Sequence, residues 1–186
     1  MTILHIDSSI TGDHSASRKL SAAVIERLRR EDPAAAVEYR DLVAEAIPHL
    51  TLDRLTGPET NDDLRQFFAV DTIVIGAPLY NFGISSQLKA WIDRLLVPGQ
   101  TFTYGDDGKP KGLVDGKRVI LAIARGGLYG PGSGAEGMEH VESYLRGLFG
   151  FIGVTDIEVV VADGLKASAD GPDAVLATAL AKARGE

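Results

Sequence analysis

Four runs of branched apolar residues punctuate the chain, at Thr2 to Ile6, Thr72 to Gly76, Val119 to Ile123 and Ile157 to Val161. Each is short, continuous and bounded by turn formers or charged residues, the pattern of a strand buried on both faces. A weaker run, Val37 to Arg40, alternates apolar with charged positions. Between the runs the period changes. Leu20, Val24 and Leu28 recur every fourth residue; Leu64, Phe67 and Phe68 make a shorter set; Leu88, Trp91, Ile92 and Leu95 another. Met138, Val141, Leu145, Leu148 and Phe149 form a fourth helical stripe, and Val175, Ala179 and Ala183 a fifth. The order therefore reads βαβαβαβαβα. Such alternation predicts an α/β fold, a doubly wound five-stranded parallel sheet with helices on both faces. Five strands suit the order 2-1-3-4-5, which puts the alternating Val37 run at an edge.

At 186 residues the chain predicts a single domain spanning 1–186. Hydrophobic residues make up 45% and charged residues 24%, a globular composition. No stretch approaches the roughly 18 to 20 apolar residues of a membrane span, and no basic segment followed by an apolar core opens the chain. The expectation is a cytoplasmic protein with no membrane partner. The absence of cysteine excludes disulfides, thiolate metal sites, iron–sulfur clusters and a cysteine nucleophile. His5, His14, His49 and His140 show no ligand spacing, so no metal is expected. A net charge of −7 with dispersed Lys and Arg argues against nucleic acid. A small anionic ligand stays open, because backbone amides and a helix terminus can hold a phosphate without a basic surface.

Candidate chemistry lies in three loops that follow strand carboxyl ends, where open α/β sheets bind ligands. The first, Asp7 to Ser17, is rich in hydroxyls and leads into a helix opening near Arg18. Ser9, Ser15 and Ser17 can donate to phosphate oxygens while the free N–H groups of the first helical turn point the same way. Ser15 or Ser17 also reads as an ordinary N-cap, and the two roles are compatible. The second loop, Ala77-Pro78-Leu79-Tyr80-Asn81-Phe82-Gly83, is stiffened by Pro78, with Gly83 expected to supply backbone freedom before Ser85 caps the next helix. Its unused amides and aromatic side chains suit a flat ring; packing of Tyr80 and Phe82 against a neighbouring loop is the bland alternative. The third, Ala124-Arg125-Gly126-Gly127-Leu128-Tyr129, brings two glycines whose amides could donate to carbonyl oxygens of a heterocycle, though a plain turn explains them equally. Phosphate, ring and pyrimidine oxygens together are what flavin mononucleotide presents. GxGxxG and GxxxxGK[ST] are both missing, which excludes a Rossmann dinucleotide site and a P-loop.

Val97 to Gly116 is long for a connection and rich in glycine. Thr101-Phe102-Thr103-Tyr104 before Gly105-Asp106-Asp107-Gly108 predicts a short hairpin, either a flap over the ligand or a surface excursion.

Taken together, Ser8-Ser9 with Ser15-Ala16-Ser17, Ala77 to Phe82 followed by Ile84-Ser85-Ser86-Gln87-Leu88-Lys89, Arg125-Gly126-Gly127, and Phe149-Gly150-Phe151-Ile152-Gly153 resemble the FMN-dependent NADH:quinone oxidoreductases, also called azoreductases. The resemblance runs from Ile3 through the last helix. It implies a flavodoxin-like fold, an FMN cofactor, and electron transfer from NADH or NADPH to quinone or azo compounds by ping-pong hydride transfer, with no catalytic side chain. It further implies a homodimer whose subunits share the flavin sites. Carried over, Ser9, Ser15, Ala16 and Ser17 are the phosphate contacts, Leu79, Tyr80, Asn81 and Phe82 the ring contacts, and Ala124, Arg125, Gly126 and Gly127 the pyrimidine-end loop. Asn81 is expected to present its N–H near the reactive nitrogen, with Tyr104, Tyr129 and Phe151 as substrate walls. Two departures stand out: Ala124 where relatives often carry serine, and a shorter Leu42 to Asp63 connection. A non-enzymatic flavodoxin-like carrier and, more remotely, a serine hydrolase using Ser8 or Ser9 are the rival readings; the latter lacks GxSxG.

Overall fold

The computed structural model describes residues 1–52 and 61–186. Its elements run β1 (Thr2–Asp7), α1 (Ala16–Glu31), β2 (Ala36–Asp41), α2 (Asp62–Ala69), β3 (Thr72–Pro78), α3 (Ser86–Ile92), β4 (Phe102–Tyr104), β5 (Pro110–Gly112), β6 (Arg118–Ala124), α4 (Glu142–Ile152), β7 (Asp156–Ala162) and α5 (Gly171–Arg184). Five strands pair in parallel in the order β2-β1-β3-β6-β7, while β4 and β5 form a separate antiparallel hairpin. Setting the hairpin aside gives 2-1-3-4-5, the flavodoxin-like doubly wound topology. The alternating Val37 run lies at the edge, half exposed, as its pattern requires.

Strand alternation divides the core. Ile73 and Ile75 of β3 face one side with Phe67, Trp91, Leu121 and Phe149; Val74 faces the other with Leu20, Val24, Leu28, Ala179 and Ala183. Helices α2, α3 and α4 thus cover one face, α1 and α5 the opposite one. Every residue of β3 is buried, which is why its sequence is a run of branched side chains ending in Gly76-Ala77-Pro78.

Three helix boundaries differ from the periodicity. α1 opens at Ala16, because Ser15 is the N-cap and its hydroxyl accepts from the Arg18 N–H at 3.2 Å. α3 stops at Ile92 although Leu95 is fully buried; tight bonds from Arg94 to Trp91 and from Leu95 to Ile92 turn the chain there. α4 begins at Glu142, not at Met138. Glu139 turns its carboxylate onto the amides of Val141, Glu142 and Ser143 and fixes the start, leaving Val141 buried ahead of the helix. Much of the Leu42 to Asp63 connection, residues 53–60, lies outside the described residues. Among those described, no helix is long and apolar enough to cross a membrane.

Candidate functional site

The three loops meet at the carboxyl edge of the sheet, and specific bonds join them. Ser9 Oγ lies 2.8 Å from the Tyr80 hydroxyl, linking the first loop to the second. The Leu79 N–H donates to the Ala124 carbonyl at 2.9 Å, and the Phe82 ring meets Tyr129 edge-on at 6.3 Å, linking the second to the third. Ile10, Leu79, Tyr80, Asn81, Ile84 and the start of α3 line a cavity of about 710 Å³, the size range of small-molecule sites.

Each loop keeps donors unspent. In the first, nothing among the described residues accepts from the N–H of Ala16 or Ser17, the opening positions of α1. Ser9, Ser15 and Ser17 are all buried beside them, Ser15 and Ser17 sharing a 3.1 Å hydroxyl contact. In the second, Tyr80 and Gly83 exchange both backbone bonds, at 2.9 and 3.0 Å, across a two-residue turn. Asn81 and Phe82 take φ of 47° and 70°, so it is they, and not Gly83, that carry the left-handed backbone. Non-glycine residues held this way cost about 1–3 kcal/mol each and concentrate at functional sites. The amides of Leu79, Tyr80 and Gly83 are engaged, whereas those of Asn81 and Phe82 have no acceptor among the described residues. In the third, the carbonyls of Arg125, Gly126 and Gly127 accept from Leu165, Lys166 and Gly164, while the Gly126 and Gly127 N–H groups have no acceptor among the described residues.

Side chains around the loops serve mainly to fix them. Arg18 grips both Asp41 oxygens at 2.8 Å and donates to the Ser9 carbonyl at 2.8 Å, pinning the first loop. That hydrogen-bonded pairing holds the Asp41 carboxyl below its ordinary range and raises Arg18. Beneath lies a buried polar set in which Asp7 accepts from Ser21 at 2.7 Å and from Tyr39 at 3.2 Å. Partial burial, reinforced by the Asp7 charge, pushes the Tyr39 phenol up to about 12. His5 contacts Ser21 at 2.9 Å. Serine, histidine and aspartate thus meet in space, but Ser21 donates to the acid itself and is wholly buried on the inner face of α1, so the set is no nucleophile. Ser8 donates to the Gly76 carbonyl and Ser9 faces Tyr80, leaving the hydrolase reading without a base.

The sequence-predicted walls divide. Tyr129 stands against Phe82 at the ring loop. Tyr104 and Phe151 lie apart from it, joined through Phe102 at ring distances of 5.8 and 4.8 Å. The hairpin carrying Tyr104 docks where α4 ends, with the Val114 N–H on the Ile152 carbonyl. α4 starts at the loop edge, where Glu142 meets Arg125, and its 11 residues span about 16 Å, so Phe151 sits near the far edge of the sheet. Within one chain the hairpin is not a flap over the cavity. The Arg125 guanidinium is buried among carboxylates and does not face the cavity. Sequence reasoning missed Arg18, Asp41 and Glu139, whose pairings carry no periodic signal.

Strand order 2-1-3-4-5 with open donors on three loops at one sheet edge makes this a flavodoxin-like α/β protein. Comparison with known proteins narrows it. The flavodoxin-like fold family matches residues 1–185. An FMN-dependent NADH:quinone oxidoreductase of Methylorubrum extorquens is 49% identical over 97% of this chain and 96% of its own length. An azoreductase from Bacillus anthracis superposes over 100% of this chain and 97% of its own with a TM-score of 0.89 at 29% identity. A second B. anthracis structure, an FMN-dependent NADH-azoreductase in complex with FMN, gives 0.86 at 25% identity over 100% and 97%. The chain belongs to the flavodoxin-like family and, within it, to the FMN-dependent NADH:quinone oxidoreductases.

Proposed function

We propose that this chain binds FMN at the loop edge and uses it to oxidise NADH or NADPH and reduce quinones and azo compounds. The observation that carries the reading is the set of unspent donors on all three loops, beside buried hydroxyls and a strained turn. The residues present fit the cofactor. Ala16 and Ser17 amides with the hydroxyls of Ser9, Ser15 and Ser17 would hold its phosphate, where the helix dipole favours an anion. Leu79 to Phe82 would border the ring, the free amides of Asn81 and Phe82 facing it. Ala124 to Gly127 would meet the pyrimidine end through the Gly126 and Gly127 amides, Arg125 contributing backbone only.

When bound, FMN supplies the two-electron redox chemistry, taking hydride from the nicotinamide and passing the electrons to the acceptor. The protein's task is orientation. The Tyr80–Gly83 turn fixes the Asn81 and Phe82 amides, which would serve as preorganised donors to the ring and need no reorganisation during reaction. Ile10, Leu79 and Ile84 give the cavity apolar walls. Donor and acceptor would use that slot in succession, a ping-pong order, with Tyr129 as a wall residue. No acid or base side chain is required. Tyr104, 61% exposed on its hairpin, and Phe151 would serve the site of a second copy in a homodimer. The protein would act in the cytoplasm.

Anaerobic mixing of the FMN-loaded protein with NADH, followed by a benzoquinone, tests this reading. Bleaching of the yellow band by NADH and its return with quinone is the expected result. A protein that binds FMN but passes no electrons from NADH would be a carrier instead. Asn81→Pro, which removes one free amide and cannot hold a φ of 47°, should slow the bleaching.

A further inference from the structure

Arg125 is 5% exposed, and its two terminal nitrogens pair with carboxylates inside the protein, while its buried Nε has no partner among the described residues. Its guanidinium stands 3.2 Å from Glu139, 3.0 Å from Glu142 and 3.9 Å from Asp163. Two of those carboxylates lead back to the ring loop. Glu139 holds the amides of Val141 and Glu142 at 3.0 and 2.9 Å, and the residue between, His140, donates its N–H to the Phe82 carbonyl at 3.0 Å. Asp163 accepts from the amides of Tyr129 and Gly130 at 3.2 and 3.0 Å, and the Tyr129 ring abuts Phe82. Phe82 is therefore tied to Arg125 twice, by its carbonyl and by its ring.

We propose that the buried Arg125–Glu139 ion pair is a strut that holds the Tyr80–Gly83 turn in its left-handed form, so that the Asn81 and Phe82 amides face the cofactor ring. The inference rests on the reading that a flavin ring lies against that turn. A left-handed pair without glycine persists only where its surroundings over-determine it. Inside the turn, the two bonds between Tyr80 and Gly83 are the backbone restraint; the anchor for Phe82 comes from outside, through His140. Arg125 and Glu139 are positioning residues, since neither faces the cavity. Removing the Glu139 charge leaves Arg125 with Glu142 and Asp163 as its partners and loosens the segment that Glu139 anchors.

The test titrates cofactor-free wild type and Glu139→Gln with FMN and with riboflavin, and follows amide hydrogen exchange at Asn81 and Phe82. The substitution keeps an oxygen for the α4 cap and removes the charge. FMN and riboflavin share the ring but not the phosphate, so both should weaken by the same factor, about tenfold, the size of one lost charged contact. The Asn81 and Phe82 amides should exchange faster while Ala16 and Ser17 do not change. Weakening of FMN alone, or wild-type affinity for both ligands, overturns the strut. Should wild type bind neither ligand, the cofactor reading fails by itself, and the exchange at Asn81 and Phe82 decides: acceleration supports the strut and no change overturns it. If Glu139→Gln does not fold, His140→Pro removes the N–H given to Phe82 and leaves the ion pair intact. The same parallel loss of both ligands is then expected, and wild-type affinity for both refutes the proposal.

Discussion

Ser9 Oγ and the Tyr80 hydroxyl share a 2.8 Å hydrogen bond across 71 residues of sequence, joining the loop after β1 to the turn after β3. The bond makes the phosphate end and the ring end of the proposed site one rigid unit. Tyr80→Phe should therefore weaken FMN by about fivefold to tenfold, the worth of roughly one hydrogen bond, with little change in melting temperature. Fluorescence titration of FMN checks it; unchanged affinity would mean that the two ends are not coupled through this contact.

Gly76 pairs with Asp7 in the sheet, and a Cβ there would sit 2.2 Å from Asp7 Oδ1. Glycine at the end of β3 is thus the space in which a buried carboxylate is stored. Gly76→Ala should destabilise by about 1–3 kcal/mol, which lowers Tm by several degrees for a domain of this size. The loss should shrink in an Asp7→Ala background, where the nearest clash is gone. A melting series across the four variants measures the coupling, and simple additivity would contradict it.

Tyr39 donates to Asp7, and its phenol is pushed up to about 12 by partial burial and by the Asp7 charge. Its folded pKa exceeds the unfolded value near 10. The contribution to stability is then complete below about pH 10 and is lost as pH rises through the folded value. Ultraviolet titration should show a late-ionising tyrosine that Tyr39→Phe removes, while Tyr144, also raised by burial, titrates as before. Superimposable curves for the two proteins would refute the contact.

At the acid end the sign reverses. Asp41 is held below its ordinary range by its hydrogen bonds to Arg18, so its contribution is present above the unfolded pKa of about 4 and is lost as pH falls through the lower folded value. Asp41→Asn should flatten the acid limb of the stability curve below about pH 4 and weaken FMN at neutral pH, because Arg18 then holds the Ser9 carbonyl less firmly. Urea midpoints across pH 2.5 to 7 should show this; identical acid limbs would show that the pair is worth nothing measurable.

Much of this architecture is written in apolar spacing. Ile73 and Ile75 against Val74, or Leu20, Val24 and Leu28, state which face each element buries, because burial obeys the period of the element. Thr101 to Gly108 likewise announced the hairpin now seen as β4 and β5. Where it docks was not legible, since the Gly112 approach to Gly153 is a tertiary fit with no local signal. The start of α4 departs from the apolar stripe for a related reason. Val141 continues the apolar stripe, and only the Glu139 carboxylate says that the helix begins after it. The loops themselves stood out through serines, glycines and Pro78. Polar pairings such as Arg18 with Asp41 or Arg125 with Glu139 join residues of no fixed separation, so they emerge only once the sheet has brought the loops together.

If three distant segments hold one ligand at one edge, amide chemical shifts of the labelled, cofactor-free protein titrated with FMN will report it. Ala16, Ser17, Asn81, Phe82, Gly126 and Gly127 should move together along one saturating curve at one FMN per chain. Shifts confined to a single loop, clustered elsewhere, or absent at saturating FMN would show that the three loops form no common site.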